Sequence, residues 1–252
     1  MARDQLPRRD FLRLGTAAGV TSLVAACGWD GGSLVPKLAA VSRFNDWVGE
    51  KVLLSGHRLA KQYPTSMRTV DFPTYFVHRD SDGRAVPPVP SQPEAWGLDV
   101  MGEVKQPTRF TMEMLQSLPP ITYTVKHHCV EGWTAIGTWT GVPFSTVANL
   151  VQPTERARYV RFDTFDAAPR SNGGTTPYYN GWDLKSAMHP QTILAWGFND
   201  RPLPPGHGGP LRVYSPIKLG YKLTKYLTRV TFTTEKPGGY WEDMGYPWLG
   251  GV

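Results

Sequence analysis

The chain has 252 residues, 40% of them apolar and 12% aromatic, with a formal charge of +6 at neutral pH. That length and apolar content suffice for one large buried core or two small ones, and they exclude an intrinsically disordered chain. The positive excess is small and scattered, which argues against a nucleic-acid partner and fits a modestly basic surface around an anionic ligand.

At the amino terminus, Pro7-Arg8-Arg9-Asp10-Phe11-Leu12-Arg13 has the form of a twin-arginine export signal. The apolar run from Leu14 to Ala26 is diluted by Gly15, Thr16, Gly19, Thr21 and Ser22. Its roughly 13 residues fall short of the ~20 that a membrane span needs, so residues 1–26 read as a signal segment. Four arginines and two aspartates sit in that segment, which leaves about +4 on the rest of the chain. Val24-Ala25-Ala26-Cys27 resembles a lipobox, which predicts lipidation at Cys27. Residues 27–36, with Gly31-Gly32-Ser33, then form a flexible tether. The expected location is the periplasm or cell envelope. Twin-arginine export carries folded cargo, so the signal points to a cofactor inserted before export.

Residues 37–252 read as a single domain. Ala40, Phe44, Trp47, Val48 and Lys51 recur at helical spacing and predict a helix over Lys37 to Ser55. Residues 57–95 lack periodicity and are rich in proline. Alternation from Trp96 to Gly102 predicts a strand. Thr111 is a candidate N-cap for a short helix stopped by Pro119-Pro120. Ile121, Tyr123 and Val125 alternate, so a strand leads into Cys129. A short helix from Phe144 to Leu150, a strand from Tyr159 to Phe165, a polar loop from Ser171 to Pro177 and a helical turn from Leu184 to His189 follow. Strands are expected over Thr192 to Phe198, Leu211 to Tyr214 and Leu227 to Thr234, ahead of an aromatic, turn-rich tail from Gly238. Strands and short helices mix without regular alternation, which favours an α+β fold with mixed sheets.

Chemistry concentrates at Cys129, one of two cysteines in the chain. With Cys27 in the export segment, Cys129 has no structural disulfide partner, and a bare exported thiol is open to oxidation. His127 shares its strand face, while Lys126 and His128 face the other way. Nearby positive charge would favour the metal-binding thiolate, a soft ligand suited to copper, zinc, iron–sulfur or a molybdenum dithiolene centre. Zinc and iron–sulfur sites need several Cys or His in short pairs. A blue-copper loop needs a His soon after the Cys, and none follows before His189. A Cys–His nucleophile pair and a buried structural cysteine are the other readings of these residues.

The ordered set of motifs is similar to one family. Cys129-Val-Glu-Gly-Trp133 and Trp139-Thr-Gly-Val-Pro143 begin it. Tyr159-Val-Arg-Phe-Asp-Thr164, Ala187-Met-His-Pro190 and Leu203-Pro-Pro205 continue it, and Gly209-Pro-Leu-Arg212 and Lys218-Leu-Gly-Tyr-Lys222 complete it. Across roughly residues 70–235 they resemble the exported branch of the sulfite-oxidase superfamily, which includes the catalytic subunit of the periplasmic methionine-sulfoxide reductase. The resemblance implies a molybdenum–molybdopterin cofactor with Cys129 as the one protein ligand of the metal. It places Thr164 and Arg212 against the pterin or its phosphate, and Lys218, Lys222, Leu223, Thr224 and Lys225 on a phosphate-binding loop. His207 stands where the reductases have Asn. Tyr75-Phe76-Val77-His78-Arg79 resembles the cofactor-contacting F-x-V-R stretch of the wider superfamily.

Where sulfite-oxidising members carry arginines after the Cys, this chain has Glu131 and Trp133. A carboxylate repels sulfite, so the expectation is oxygen-atom transfer from a neutral S-oxide or N-oxide, including oxidised methionine. Glu131 is the candidate proton donor, and Trp133 and Trp139 are candidate cleft walls. A membrane haem or quinol-linked partner would supply electrons, since no C-x-x-C-H is present for a haem of the chain's own. The chain ends soon after its last strand, so a monomer without a separate dimerisation domain is expected. Sulfite-type oxidation and a non-catalytic lipoprotein binding module are the competing readings.

Overall fold

Alternating segments across the second half of the chain pair into two sheets. The structure is a computed structural model in which the described residues are 59–75, 78, 82, 84, 86, 87, 95–169 and 174–252. These belong to one unit spanning Asp46–Val252. The signal segment, the tether with Cys27, the helix expected over Lys37 to Ser55, and Phe76, Val77 and Arg79 lie outside the described residues.

The first sheet holds β1 (Leu98–Gly102), β2 (Thr108–Phe110), β5 (Tyr159–Pro169), β6 (Thr175–Asp183) and β10 (Leu227–Thr233), in the order β2-β1-β10-β5-β6. Its pairings are antiparallel except β1 with β10, which run parallel with Val100 opposite Val230. The second sheet holds β3 (Ile121–His128), β4 (Thr134–Pro143), β7 (Ile193–Phe198) and β8 (Arg201–Pro202) in that order, with β9 (Arg212–Tyr214) also on β7. Beside them lie the short helices α1 (Met112–Gln116), α2 (Phe144–Val151) and α3 (Leu184–Ala187). The family expected from the motifs is α+β, and mixed sheets with few short helices are what the chain forms.

Local chemistry explains the helix ends. Thr111 Oγ1 accepts from the Met114 amide at 3.1 Å and caps α1. Asp183 Oδ1 accepts from the Ser186 amide at 2.7 Å and caps α3. Helix α2 buries Phe144, Val147, Ala148 and Val151, a stripe at helical spacing. Phe144 packs against Phe162 of β5 and Phe232 of β10, with ring centroids 5.8 and 5.9 Å apart. Each such fully buried side chain stabilises the fold by about 1.5–3 kcal/mol. One continuous apolar cluster takes in residues of both sheets, among them Val100, Trp139, Trp182 and Leu194.

Strands β4 and β7 approach so closely that a Cβ on Gly141 would sit 2.1 Å from the Leu194 carbonyl oxygen. That glycine stands at the register shift between Thr140 and Gly141. The irregularity bends β4 as it enters α2. The polar stretch expected as a loop over Ser171 to Pro177 instead opens β6 at Thr175, because the β5 edge supplies backbone partners for it.

Candidate functional site

Cys129 follows the last residue of β3 and is half-buried. Its amide donates to the Trp133 carbonyl at 3.0 Å, and its carbonyl accepts from the Gly132 amide at 3.1 Å. The chain therefore turns sharply after the sulfur, and Gly132 takes the φ of +92° that the turn requires. The turn projects Cys129, Val130, Glu131 and Trp133 onto a cavity of about 410 Å³.

A ring stack fixes this turn to the core. Trp133 lies between Tyr75, 5.8 Å away, and His127, 5.4 Å away, both stacked. His127 stacks in turn on Tyr214, which stacks on Trp139 at 3.9 Å. Phe72 presents its edge to His127, Trp133 and His207. Trp133 Nε1 donates to Glu131 Oε2 at 3.1 Å, which holds the exposed carboxylate at the mouth. Of the two expected cleft walls, Trp133 lines the cavity, while Trp139 is fully buried in the core.

The electrostatics differ from the sequence expectation. Burial pushes the Cys129 thiol up, as does the Glu131 charge, against the backbone amides of Glu131 and Val130. Positive charge therefore does not prepare a thiolate here. His127 is held neutral, its pKa lowered to about 3 chiefly by burial and then by Arg212 and other cations nearby. A protonated thiol beside a neutral imidazole is not the charge-separated pair of a nucleophilic cysteine. His127 Nδ1 is buried without a hydrogen-bond partner among the described residues, and the Nε2 edge lies so near Gly220 that a Cβ there would be 2.9 Å away.

Arg212 is buried to within 3% of its surface and gives the cavity its fixed positive charge. Its Nη1 donates to the His207 carbonyl and its Nη2 to the Leu223 carbonyl, each at 2.8 Å. The guanidinium also lies 4.9 Å over the Trp139 ring. Its hydrogen-bond partners among the described residues are backbone carbonyls, which neutralise none of its charge. Lys225 Nζ donates to the Tyr75 and Gly206 carbonyls at 2.8 and 2.9 Å. Burial, then the Arg212 charge, lower its pKa to about 7, with Asp166 opposing. His207 is lowered to about 4 by burial and the same two cations.

Of the residues expected at the site, Cys129, Glu131, His207, Arg212, Leu223 and Lys225 line one cavity. Thr164 and Thr224 are buried beside it and are not among the lining residues. Thr164 Oγ1 donates to the Tyr178 carbonyl at 3.0 Å and accepts from the Asp166 amide at 3.1 Å. Lys218 and Lys222 are placed away from the cavity, each with a carboxylate and a backbone carbonyl as partners. Their charges are already compensated, which is why they stay buried. His78 lies 3.7 Å from Asp166. Asp166, Tyr178 and Tyr226 line the cavity without having been expected there, as do Tyr240, Trp241 and Tyr246 of the tail. The only signal for the last three was the density of aromatic residues after Gly238.

Among the described residues no three His, Cys, Asp or Glu side chains converge to hold a metal ion. Among these residues Cys129 offers a metal one thiol, and a cofactor would supply further ligands. The residues fit a dithiolene cofactor with an anionic group: one sulfur at the cavity, buried cations beside it, and aromatic walls. These features suit a redox domain built around a bound cofactor. The chain belongs to the oxidoreductase molybdopterin binding domain family, whose pattern matches residues 85–241, and it is a molybdopterin-dependent oxidoreductase.

Among its relatives, a protein of Azospira oryzae named as a protein-methionine-sulfoxide reductase subunit, YedZ1, is 39% identical over 98% of this chain and 89% of its own length. The protein-methionine-sulfoxide reductase catalytic subunit MsrP of Campylobacter jejuni is 29% identical over 94% of this chain and 76% of its own length. The sulfane dehydrogenase SoxCD of Paracoccus pantotrophus shares the fold, with a TM-score of 0.53 and 19% identity. That match covers 61% of this chain and 41% of the SoxCD chain.

Proposed function

We propose that this chain is the exported catalytic subunit of a reductase that removes oxygen from S-oxides, with oxidised methionine in proteins as the substrate class. The observation that carries the reading is the Cys129 sulfur, held by a tight turn on a cavity that also contains a buried, carbonyl-capped Arg212. The names of the relatives support the substrate class. So does the carboxylate of Glu131 at the mouth, which disfavours a sulfite anion.

Cys129 would ligate the metal, and Arg212, Lys225 and His207 would hold the anionic end of the cofactor, with Leu223 against it. When bound, the molybdenum centre supplies two-electron oxygen-atom transfer. The protein's own part is positioning and proton supply. Trp133 orients the Glu131 carboxylate through its indole N–H, so that Glu131 can pass a proton from solvent to the departing oxygen. Tyr75, stacked on Trp133 by one face and largely exposed, offers its other face to the carbons beside the substrate's sulfoxide sulfur. Residues 1–26 act as the twin-arginine signal and residues 27–36 as the tether from a lipidated Cys27. The tether keeps the enzyme near a membrane haem or quinol-linked electron donor. Among the described residues no helix is long and apolar enough to cross a membrane.

The test is the Cys129→Ser variant, expressed with an intact cofactor pathway. It should lose its molybdenum, while the wild type should reduce methionine sulfoxide when given a reduced dye and leave sulfite unoxidised when given an oxidised one. Full metal content in the variant removes the ligand assignment, and sulfite oxidation by the wild type overturns the direction of the reaction.

A further inference from the structure

Resting on the cofactor reading above, we propose that the carboxy-terminal segment from Pro237 to Val252 is a clamped wall of the cofactor cavity. Lys218 and Lys222 are its clamps and not ligands of the cofactor's phosphate.

The loop from Lys218 to Lys225 has two faces. Tyr221, Leu223 and Lys225 line the cavity. The side chains of Lys218 and Lys222 are 0% exposed and grip the tail. Lys218 Nζ donates to the Leu249 carbonyl at 2.7 Å and lies 3.4 Å from Asp183 Oδ2. Lys222 Nζ donates to the Gly181 carbonyl at 2.8 Å and pairs with Glu242, whose side chain is only 4% exposed. Backbone bonds reinforce the grip. The Leu219 amide donates to the Gly250 carbonyl at 2.7 Å, and the Val252 amide to the Ile217 carbonyl at 3.2 Å. Tyr221 Oη donates to the Pro247 carbonyl at 2.5 Å.

What the grip secures is the aromatic wall. Tyr240, Trp241 and Tyr246 line the cavity from the tail, with Tyr246 packed edge-on against Tyr221 of the loop. Flat rings of this kind suit a planar heterocycle and keep water out. Tyr246 and the clamp partners Glu242, Pro247, Leu249 and Gly250 lie beyond residue 241, where the family pattern ends. Were Lys222 to leave Glu242 for a phosphate, it would strand a carboxylate in a dry site. The pairing as it stands leaves the phosphate to Arg212 and Lys225.

The experiment compares Lys222→Met, Glu242→Met and the double variant, all expressed with an intact cofactor pathway. The readouts are molybdenum and pterin per chain, and cleavage of the tail under limited proteolysis. Breaking a buried pair by one partner is strongly disruptive, whereas replacing both with apolar groups of similar size is close to neutral. Each single variant should therefore release the tail and lower cofactor content about tenfold, and the double variant should restore both. If Lys222 instead binds phosphate, the double variant stays as poor in cofactor as Lys222→Met while its tail remains protected, and the proposal is overturned. Unchanged tail cleavage in Lys222→Met overturns it as well. Trp241→Ala, which leaves the clamps intact, decides the matter should the lysine variants not fold. Reduced cofactor content supports the wall, and full content removes it. Absence of molybdenum from the wild type would instead strike at the proposed function itself.

Discussion

At the scale of single residues, the site is arranged by neighbours that touch no reacting atom. The Cys129 turn depends on Gly132, and the ring stack behind it depends on the space that Gly220 leaves for His127. Glu131 is held by Trp133, so its carboxylate reaches solvent and cavity from one position. Replacing it with glutamine preserves the size and the indole hydrogen bond but removes the proton. Glu131→Gln should keep its molybdenum and lose about a hundredfold in kcat with little change in KM. An unaltered kcat in steady-state assays would take Glu131 out of the reaction.

The sequence discloses this residue-level arrangement unevenly. Cys129 stands out because, in a sequence that reads as exported, a lone thiol needs a reason to persist. Arg212 and Lys225 carry charge that suits a phosphate, and both line the cavity. Lys218 and Lys222 carry the same charge in the same loop, yet burial commits them to Glu242, Asp183 and the tail. Side-chain identity does not reveal which way a loop residue faces. That depends on the carboxylates at 183 and 242, remote in sequence from each lysine.

At the scale of elements, the strands that alternate in hydrophobicity are the legible ones. Ile121, Tyr123 and Val125 mark β3, and Val230 and Phe232 mark β10 beyond its irregularity at Leu227. The N-cap at Thr111 marks α1. Strands β4 and β6 are obscured by Gly, Thr and Pro, since their order comes from neighbours on the sheet and not from their own propensity. In β4 the glycine is required. A methyl group on Gly141 would meet the Leu194 carbonyl and the Ala195 backbone, neither of which can rotate away. Gly141→Ala should therefore cost about 3 kcal/mol of stability. Urea unfolding monitored by tryptophan fluorescence would read this as a lower midpoint, and an unshifted midpoint would show that β4 and β7 can separate freely.

At the scale of the whole molecule, buried cations tie the stability of the cofactor-free chain to pH. Burial lowers the Lys222 pKa to about 8, with Glu242 opposing, and that of Lys225 to about 7. In the unfolded chain both lysines titrate near the ordinary value, about 10.4. Between those limits the unfolded state binds more protons than the folded one, so stability rises with pH. His207, lowered to about 4, adds a rise between about pH 4 and 6.5 by the same reasoning. Tyr178, Tyr214 and Tyr226 are pushed up by burial, so above about pH 10 the unfolded chain loses protons that the folded one keeps, and stability falls. The urea midpoint of cofactor-free protein should climb from pH 6 to 9 and drop beyond 10. A flat profile over pH 7 to 9 would mean that Lys222 and Lys225 are solvated in solution.

The order of the first sheet bears on when the protein becomes competent. Strand β10 follows both β1 and β5 in the chain yet lies between them in the sheet, and the cavity draws on residues from Phe72 to Tyr246. A chain synthesised only as far as β9 lacks both the middle of that sheet and one side of the site. Products terminated before β10 consequently have nowhere to seat a pterin, so metal is committed only to chains that have passed that point.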